Sequence, residues 1–391
     1  MKPVHTVVNL PLSSPSESVV AANMRPRVLH IGKFYPPHRG GMETHLSLLC
    51  GSLQASFEAE VLVASENSHD IHELISGVKV SRLATIFSLK GAPICPGMVT
   101  AIRKTKSDIV HLHWPNPVGL TSYLLSGHRG PLIISWHSDV VRQKVLSRAF
   151  MPILRIALHR CQALIISSAE YAASSPVLVP YRARCRVIPF GIPLEDFERP
   201  SLSATAAIRT KYGSRLVLSV GRLVSYKGFE YLIRAMREVR GNLLIVGEGP
   251  LHSSLKYESR RQGVADRVFF LGSVESVVPF YHACRVFVLA STTRAEAFGI
   301  VQIEAMACGK PIVNTKLDSG VPAVSRHGQT GITVQPADPI GLAQAINRLL
   351  DDEHLRNRLG RAALARARTE FSIQRMASRT QELYSAILRA H

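Results

Sequence analysis

The sequence predicts an α/β protein made of two doubly wound domains that face each other across a cleft. Short β-branched apolar runs alternate with helical periodicities along most of the chain, the pattern of parallel sheets covered on both faces. The alternation comes as two sets in tandem, and near 191–212 Pro, Glu, Ser and Ala replace it. The length, 391 residues, suits two to three domains at about 100–200 residues each.

Residues 1–25 read as a flexible leader. Pro11, Ser13, Ser14 and Pro15 interrupt the apolar core that a secretory signal needs, and Met24 offers an alternative start. The first domain, 26–192, opens on the strand RVLHIG at 27–32. KFYPPHRGG then forms a loop, and METHLSLLCGSLQ a helix with apolar residues at 42, 46, 49 and 53. EAEVLVAS is the next strand. DIVHLH at 108–113 follows a basic helix, and PLIISWHS at 131–138, ALIISSAE at 163–170 and CRVIPFG at 185–191 complete the set. The second domain, 193–372, contains the strands RLVLSVGRL, NLLIVGEG, RVFFLGSV, RVFVLAS, KPIVNT and GITVQP. FEYLIRAMREV, LHSSLKYESRRQG, VVPFYHAC and IVQIEAMACG supply helices between them. A last helix at about 373–390 carries its own apolar stripe, a face that could pack back on the first domain.

Composition narrows the class. With 46% hydrophobic residues the chain can fill sizeable cores, which argues against disorder. The formal charge of +19 favours anionic partners: nucleic acid, anionic lipid or phosphorylated substrates. No recognition motif for nucleic acid accompanies the dispersed basic residues. Cys50, Cys95, Cys161, Cys185, Cys284 and Cys308 form no CxxC pair, so buried reduced thiols of a cytoplasmic protein are expected and a zinc site is not. No apolar run reaches the length of about 20 residues that a membrane span needs.

Open α/β sheets bind ligands beyond the carboxyl ends of their strands, so candidates are sought there. Gly40 and Gly41 precede the first helix, whose free N–H groups can meet an anion; a plain tight turn is the alternative. GRLVSYKG places Arg222 and Lys227 in one glycine-bracketed loop, cations suited to a diphosphate unless they are a solvated surface pair. Glu248 and Gly249 of GEGP join the donor-binding candidates by position, although that loop has no chemistry of its own. In EAFGIVQIE, Glu296 lies in a loop and Glu304 a turn or more into the following helix. Both carboxylates can then accept from sugar hydroxyls while the backbone of Phe298, Gly299 and Ile300 meets phosphate. His111 and His113 share one face of their strand and stand as acceptor-binding candidates; His137 ends another strand. No Asp-x-Asp pair is present, which disfavours a metal-held diphosphate.

These residues together resemble the retaining glycosyltransferases of family 4, which have the GT-B fold of two facing Rossmann-like domains. FYPPHRGGMETHL, DIVHLH, the histidine of SWHSD, GRLVSYKG, VGEGP and EAFGIVQIEAMACGKPIV carry the resemblance, from about 27 to 350. GRLVSYKGFEYLI, TRAEAFGIVQIEAMACGKPIVNTKLDSGVP and HWPNP look most like bacterial α-mannosyltransferases of O-antigen and exopolysaccharide synthesis. The resemblance implies that Gly40 and Gly41 let the first helix approach the donor phosphate and that Arg222 and Lys227 hold the diphosphate. It assigns sugar hydroxyls to Glu296, the ribose to Glu304, and sugar and phosphate contacts to the backbone of Phe298 and Gly299. His137 would sit over the sugar. His137, Glu296, Arg222 and Lys227 thus stand as the catalytic set, with no metal and no other cofactor.

The implied reaction moves α-mannose from GDP-mannose to a polyprenyl-diphosphate-linked glycan, with retention and same-face attack. A UDP-glucose or other UDP-hexose donor is the alternative within the family; a sugar-nucleotide epimerase or hydrolase on the same fold is the alternative outside it. One departure stands out: PFGIPLEDF has Pro193 where many members have Asp after the hinge strand. At 142–160, Arg142, Lys144, Arg148, Arg155 and Arg160 alternate with Leu146, Phe150, Ile153, Leu154 and Leu158. This basic amphipathic helix suits an anionic membrane surface, or else is a core helix with a solvated face, and Pro152 would kink or divide it. The protein is therefore expected on the inner face of the cytoplasmic membrane.

Overall fold

The computed structural model describes residues 25–38, 40–89, 91–140 and 144–391. The expected leader, Arg25 apart, lies outside them, as does Arg142 of the basic helix. The first sheet is built from β1 (Arg27–Ile31), β2 (Glu58–Ala64), β3 (Ile71–Ile75), β4 (Val78–Leu83), β7 (Ile109–Trp114), β8 (Leu132–Trp136), β9 (Ala163–Ile166) and β10 (Cys185–Val187). A separate small hairpin pairs β5 (Phe87–Leu89) with β6 (Ala92–Ile94). The second sheet contains β11 (Leu216–Val220), β12 (Asn242–Val246), β13 (Val268–Gly272), β14 (Val286–Leu289), β15 (Ile312–Thr315) and β16 (Gly331–Val334).

The strand orders are β10-β9-β8-β7-β1-β2-β4-β3 and β13-β12-β11-β14-β15-β16. The second sheet is parallel throughout, and its central strands are buried, which is why they read as unbroken apolar runs. The first is parallel except at its edge, where β3 runs antiparallel to β4. Sequence reasoning missed that hairpin because β3, at the sheet edge, has no fully buried position and so lacks the apolar run that marked the other strands. Its turn, Ser76 and Gly77, has φ of 49° and 82°, the signature of a tight hairpin turn.

The topology places the site before any side chain is considered. In the first sheet the chain reverses winding between β1 and β7; in the second, between β11 and β14. A crevice opens at each such reversal. The loops after β1, β11 and β14 carry Gly40, Arg222 and Glu296, while His111 and His113 lie within β7 itself and His137 directly follows β8.

Two crossings join the halves and run side by side. Ile192 N–H donates to Phe371 O at 3.0 Å, and Ile373 N–H returns to Ile192 O at 3.0 Å. A side chain at Gly191 would overlap the Ser372 carbonyl, so the close approach of the strands demands glycine there. The last helix, Ile373–Arg389, then lies on the first half: Met376, Tyr384 and Ile387 share a core with Val28, Leu49, Leu53 and Phe57. The basic helix runs Lys144–Arg160 without a break at Pro152, so the proline does not divide it. All six cysteines are free, and of these only Cys185 is not buried.

Candidate active site

The site is assembled from two glycine-shaped loops of the second half. Gly228 takes a left-handed φ of 68° and ends the short turn Ser225–Lys227. A Cβ there would overlap the Ala290 carbonyl, so the loops after β11 and β14 can touch only through glycine. Thr292 N–H donates to Tyr226 O at 2.8 Å across the same seam. This contact sets Lys227 Nζ 2.5 Å from Glu296 Oε2, with side chains only 11% and 10% exposed. Ser291 Oγ donates to the same oxygen at 3.0 Å. Burial works against the Lys227 charge, but Glu296, Tyr226 and Glu304 together outweigh it and hold the ammonium above its ordinary pKa. Gly228→Ala is expected to cost about 2 kcal/mol or more from left-handed strain and overpacking. Thermal unfolding would check it, and an unchanged melting temperature would show that the seam yields freely.

Gly299, at φ 77°, caps the helix Ile300–Ala307, whose N-terminus points at the same crevice. Gln302 is fully buried beneath it; its amide donates to Phe298 O at 3.1 Å and accepts from Asn314 Nδ2 at 2.9 Å. This polar brace holds the helix on the sheet and escaped sequence reasoning, which credited the apolar residues alone. One turn further on, Glu304 Oε2 accepts from Tyr281 OH at 2.6 Å. Burial pushes the Glu304 carboxyl above its usual value, while the Tyr281 bond and Lys227 pull the other way.

The first half faces this helix. A Cβ on Gly41, at the start of the helix Gly41–Leu53, would lie 3.7 Å from the Ile300 side chain, so the two helix N-termini meet across the cleft. Gly40 is extended at φ −180°, which any residue adopts; what a side chain there would meet is the Glu43 carboxylate. Arg222 is exposed. Lys33, in the loop after β1, is a cation that sequence reasoning passed over. Burial lowers its pKa, and Glu43 raises it while Arg222 lowers it further, which places Arg222 and Lys33 within electrostatic reach across the cleft. The signal was in the sequence, a lysine directly after a strand end, but nothing marked its partner 189 positions away, 222 minus 33.

In GEGP the backbone is held closely against the loop after β11. A Cβ on Gly249 would sit 2.6 Å from the backbone of Leu223, and Glu248 Oε1 accepts from Ser273 N–H at 3.2 Å. Packing against the 221–223 loop therefore accounts for the glycine without a ligand.

The histidines form a buried stack instead of a row of ligand groups. His111 is fully buried, its Nδ1 bonded to Tyr384 OH at 2.5 Å and its Nε2 to Ser135 Oγ at 2.8 Å. His113 bonds His30 through Nε2 at 3.2 Å and His137 through Nδ1 at 3.0 Å. Neither ring keeps a free nitrogen for an acceptor, which corrects the expectation that His111 and His113 bind one. They act as support for His137, which is 5% exposed and faces Phe190 at 5.4 Å between centroids. Phe190 in turn meets Phe298 edge-on at 5.0 Å. Burial lowers the pKa of His30 and His45 to about 3 and holds His111, His113 and His137 well below the usual value, so the stack is neutral at pH 7. His45, His113 and His137 bring ring nitrogens within 4.8 Å of one another, as do His30, His111 and His113, the donor set of a metal site. The hydrogen bond between His113 and His137 already occupies one nitrogen of each of those rings.

A further ion pair crosses the cleft. Arg294 Nη2 lies 2.8 Å from Asp139 Oδ2 and its Nη1 donates to Ser174 O at 2.9 Å. Asp139 also accepts from Trp136 Nε1 at 3.0 Å and Ser175 Oγ at 2.9 Å, so the acid is well anchored for this role.

Comparison with known proteins agrees with the geometry. Residues 39–196 match the family described as Glycosyltransferase Family 4, and residues 205–366 match Glycosyl transferases group 1. The chain is 31% identical over 352 residues to D-rhamnosyltransferase WbpZ of Pseudomonas aeruginosa, covering 88% of this chain and 92% of that one. It is 29% identical over 378 residues to O-antigen chain mannosyltransferase C of Escherichia coli, covering 93% and 99%. Sucrose-phosphate synthase from Thermosynechococcus elongatus superposes with a TM-score of 0.80 at 23% identity over 94% of this chain and all of that one. Anabaena Alr3699/HepE, solved in complex with UDP and glucose, gives 0.77 at 21% over 92% and 99%. Fold and relatives thus define a glycosyltransferase of the GT-B class, with two Rossmann-like domains. The chain belongs to glycosyltransferase family 4, in a group whose relatives include makers of O-antigen.

Proposed function

We propose that the protein is a retaining hexosyltransferase that moves α-mannose from GDP-mannose to a lipid-linked glycan in surface-polysaccharide synthesis. The observation that carries the reading is the convergence of opposite chemistries at the two winding reversals. Lys227, Arg222, Lys33 and the N-termini of two helices supply positive potential for a diphosphate, and Glu296 and Glu304 supply acceptors for hydroxyls.

In this mechanism the donor's diphosphate displaces Glu296 from its bond with Lys227 or shares the lysine with it. Glu296 and the 298–299 backbone grip the sugar, Glu304 the ribose, and neutral His137 lies against the sugar face. As the anomeric C–O bond breaks, its electron pair goes to the leaving phosphate oxygen, whose charge Lys227 and Arg222 stabilise. That oxygen takes the proton of the acceptor hydroxyl, and the new C–O bond forms on the same face. The products are the α-linked glycan and a protonated nucleoside diphosphate. No side chain is needed as a nucleophile.

The mannose assignment leans on relatives: the O-antigen mannosyltransferase, and a Mycolicibacterium smegmatis enzyme named as GDP-mannose-dependent, 28% identical over 371 residues. The similarity to a D-rhamnosyltransferase favours a second reading, since D-rhamnose is 6-deoxy-mannose and asks the same grip from Glu296. The acceptor reading places the protein on the cytoplasmic membrane surface; among the described residues no helix is long and apolar enough to cross one. A thermal-shift panel of GDP-mannose, GDP-D-rhamnose, UDP-glucose and UDP-N-acetylglucosamine tests the donor. A tight donor at 100 times its Kd adds about 2.7 kcal/mol to the folded state. GDP-mannose is expected to give the largest shift; a UDP sugar giving the largest would overturn the assignment.

A further inference from the structure

A chamber of about 460 Å³ opens in the first domain at the carboxyl ends of β7 and β8, and it shares no lining residue with the donor grip. That volume is in the range of sites for organic ligands. Trp114, Trp136, Val118, Phe150, Leu154 and Ile94 line it. The rings are ordered: Trp114 stacks on Trp136 at 5.4 Å between centroids and on Phe150 at 5.9 Å. Among the described residues its one charged lining residue, Asp139, is committed to Arg294, Trp136 and Ser175. The chamber therefore suits a hydrocarbon, and its described lining offers no free charge to a polar solute.

Two features flank it. The hairpin of β5 and β6 exposes Phe87 and Leu89, at 56% and 51%, and Leu89 itself reaches the chamber lining. The helix Lys144–Arg160 turns Phe150 and Leu154 inward while Arg148 and Arg155 are exposed. Apolar surface inside and cations outside match an amphiphile with a hydrocarbon chain and an anionic head. The chamber adjoins the Asp139–Arg294 bridge, so a chain held there leaves its head beside the cleft.

We propose that this chamber holds a segment of the hydrocarbon chain of the lipid-linked acceptor, with the acceptor's diphosphate outside it on the cleft side. The inference rests on the reading that the acceptor is lipid-linked. It makes the first domain select the lipid as well as the sugar end of the acceptor.

The chain has two tryptophans, and both line the chamber, so selectively excited tryptophan emission originates there. The full-length protein is titrated with geranylgeranyl diphosphate, inorganic pyrophosphate and phosphatidylglycerol vesicles. A saturable change of tryptophan emission with geranylgeranyl diphosphate and none with pyrophosphate is expected. Val118→Phe and Val99→Phe, both at half-buried lining positions, fill the chamber and should weaken that binding about tenfold, equal to about 1.4 kcal/mol, with melting temperatures unchanged. The same variants should raise KM for a prenyl-diphosphate-linked acceptor and leave transfer to the glycan on a methyl aglycone untouched. An equal response to pyrophosphate, a response to vesicles only, or an unaltered KM would overturn the proposal. If the wild-type protein transferred sugar to neither acceptor, the proposed reaction would fail, yet the fluorescence titration would still decide what the chamber binds.

Discussion

Replacing Glu296 with glutamine is expected to lower kcat/KM for transfer by about 10²–10³, the usual effect of removing one buried electrostatic contact to a reacting group. Glutamine keeps the shape and can still accept from Ser291, so the seam between the loops after β11 and β14 stays closed. What disappears is a charged acceptor for sugar hydroxyls and the partner of Lys227. Removing one member of a buried pair costs about 3–5 kcal/mol when the other is left uncompensated. Here a bound diphosphate can compensate Lys227, so a nucleoside diphosphate should stabilise the Glu296→Gln protein more than the wild type. Steady-state transfer, with thermal shifts in the presence and absence of GDP, checks both halves. Turnover at the wild-type rate would remove Glu296 from the donor grip and take the catalytic reading of Lys227 with it.

The second large effect is acid instability of the first domain. His30, His45, His111, His113 and His137 are neutral and buried, with pKa values lowered first by desolvation. In the unfolded chain they titrate near 6.5. Between the folded and unfolded values the unfolded state binds more protons, so stability is full above about pH 6.5 and is lost as pH falls toward about 3. At pH 5 each independent buried histidine removes about 2 kcal/mol, and two of them already take about 4 from a typical total of 5–15. Urea unfolding at pH 7.5 and 5.5 should show a marked fall, with uptake of more than one proton. Equal stability at the two values would mean that the stack is hydrated or already charged.

Most of the fold was legible because its signals are local. β11, β12 and β14 are short apolar runs, and each is bounded by glycine or by a change of period, so neighbours in sequence suffice to find them. The parallel arrangement followed from the alternation of strand and helix. The β3–β4 hairpin was not legible, since its edge position leaves half its side chains in water and its pattern looks like a loop. In the site, Arg222, Lys227 and Glu296 stood out through their place in loops that follow strands, and Glu304 through its spacing from Glu296. His111 and His113 misled for a related reason: alternation gives the face of a strand that a side chain occupies, and the depth of that face depends on what packs over it. Here the covering element is the helix Ile373–Arg389, whose Tyr384 reaches back to His111.

The amino-acid sequence by itself determined the class of architecture, the helix that starts at Gly299 and the types of charge at the ends of the strands, because propensity, periodicity and glycine conformations act over a few residues. Only the tertiary structure decided that Lys227 pairs with Glu296, that Gly41 faces Ile300, and that the tryptophans enclose an apolar chamber. Each of those contacts joins segments far apart in the chain. Its geometry is fixed by how the sheets are wound and how the halves are held together, which no local pattern records.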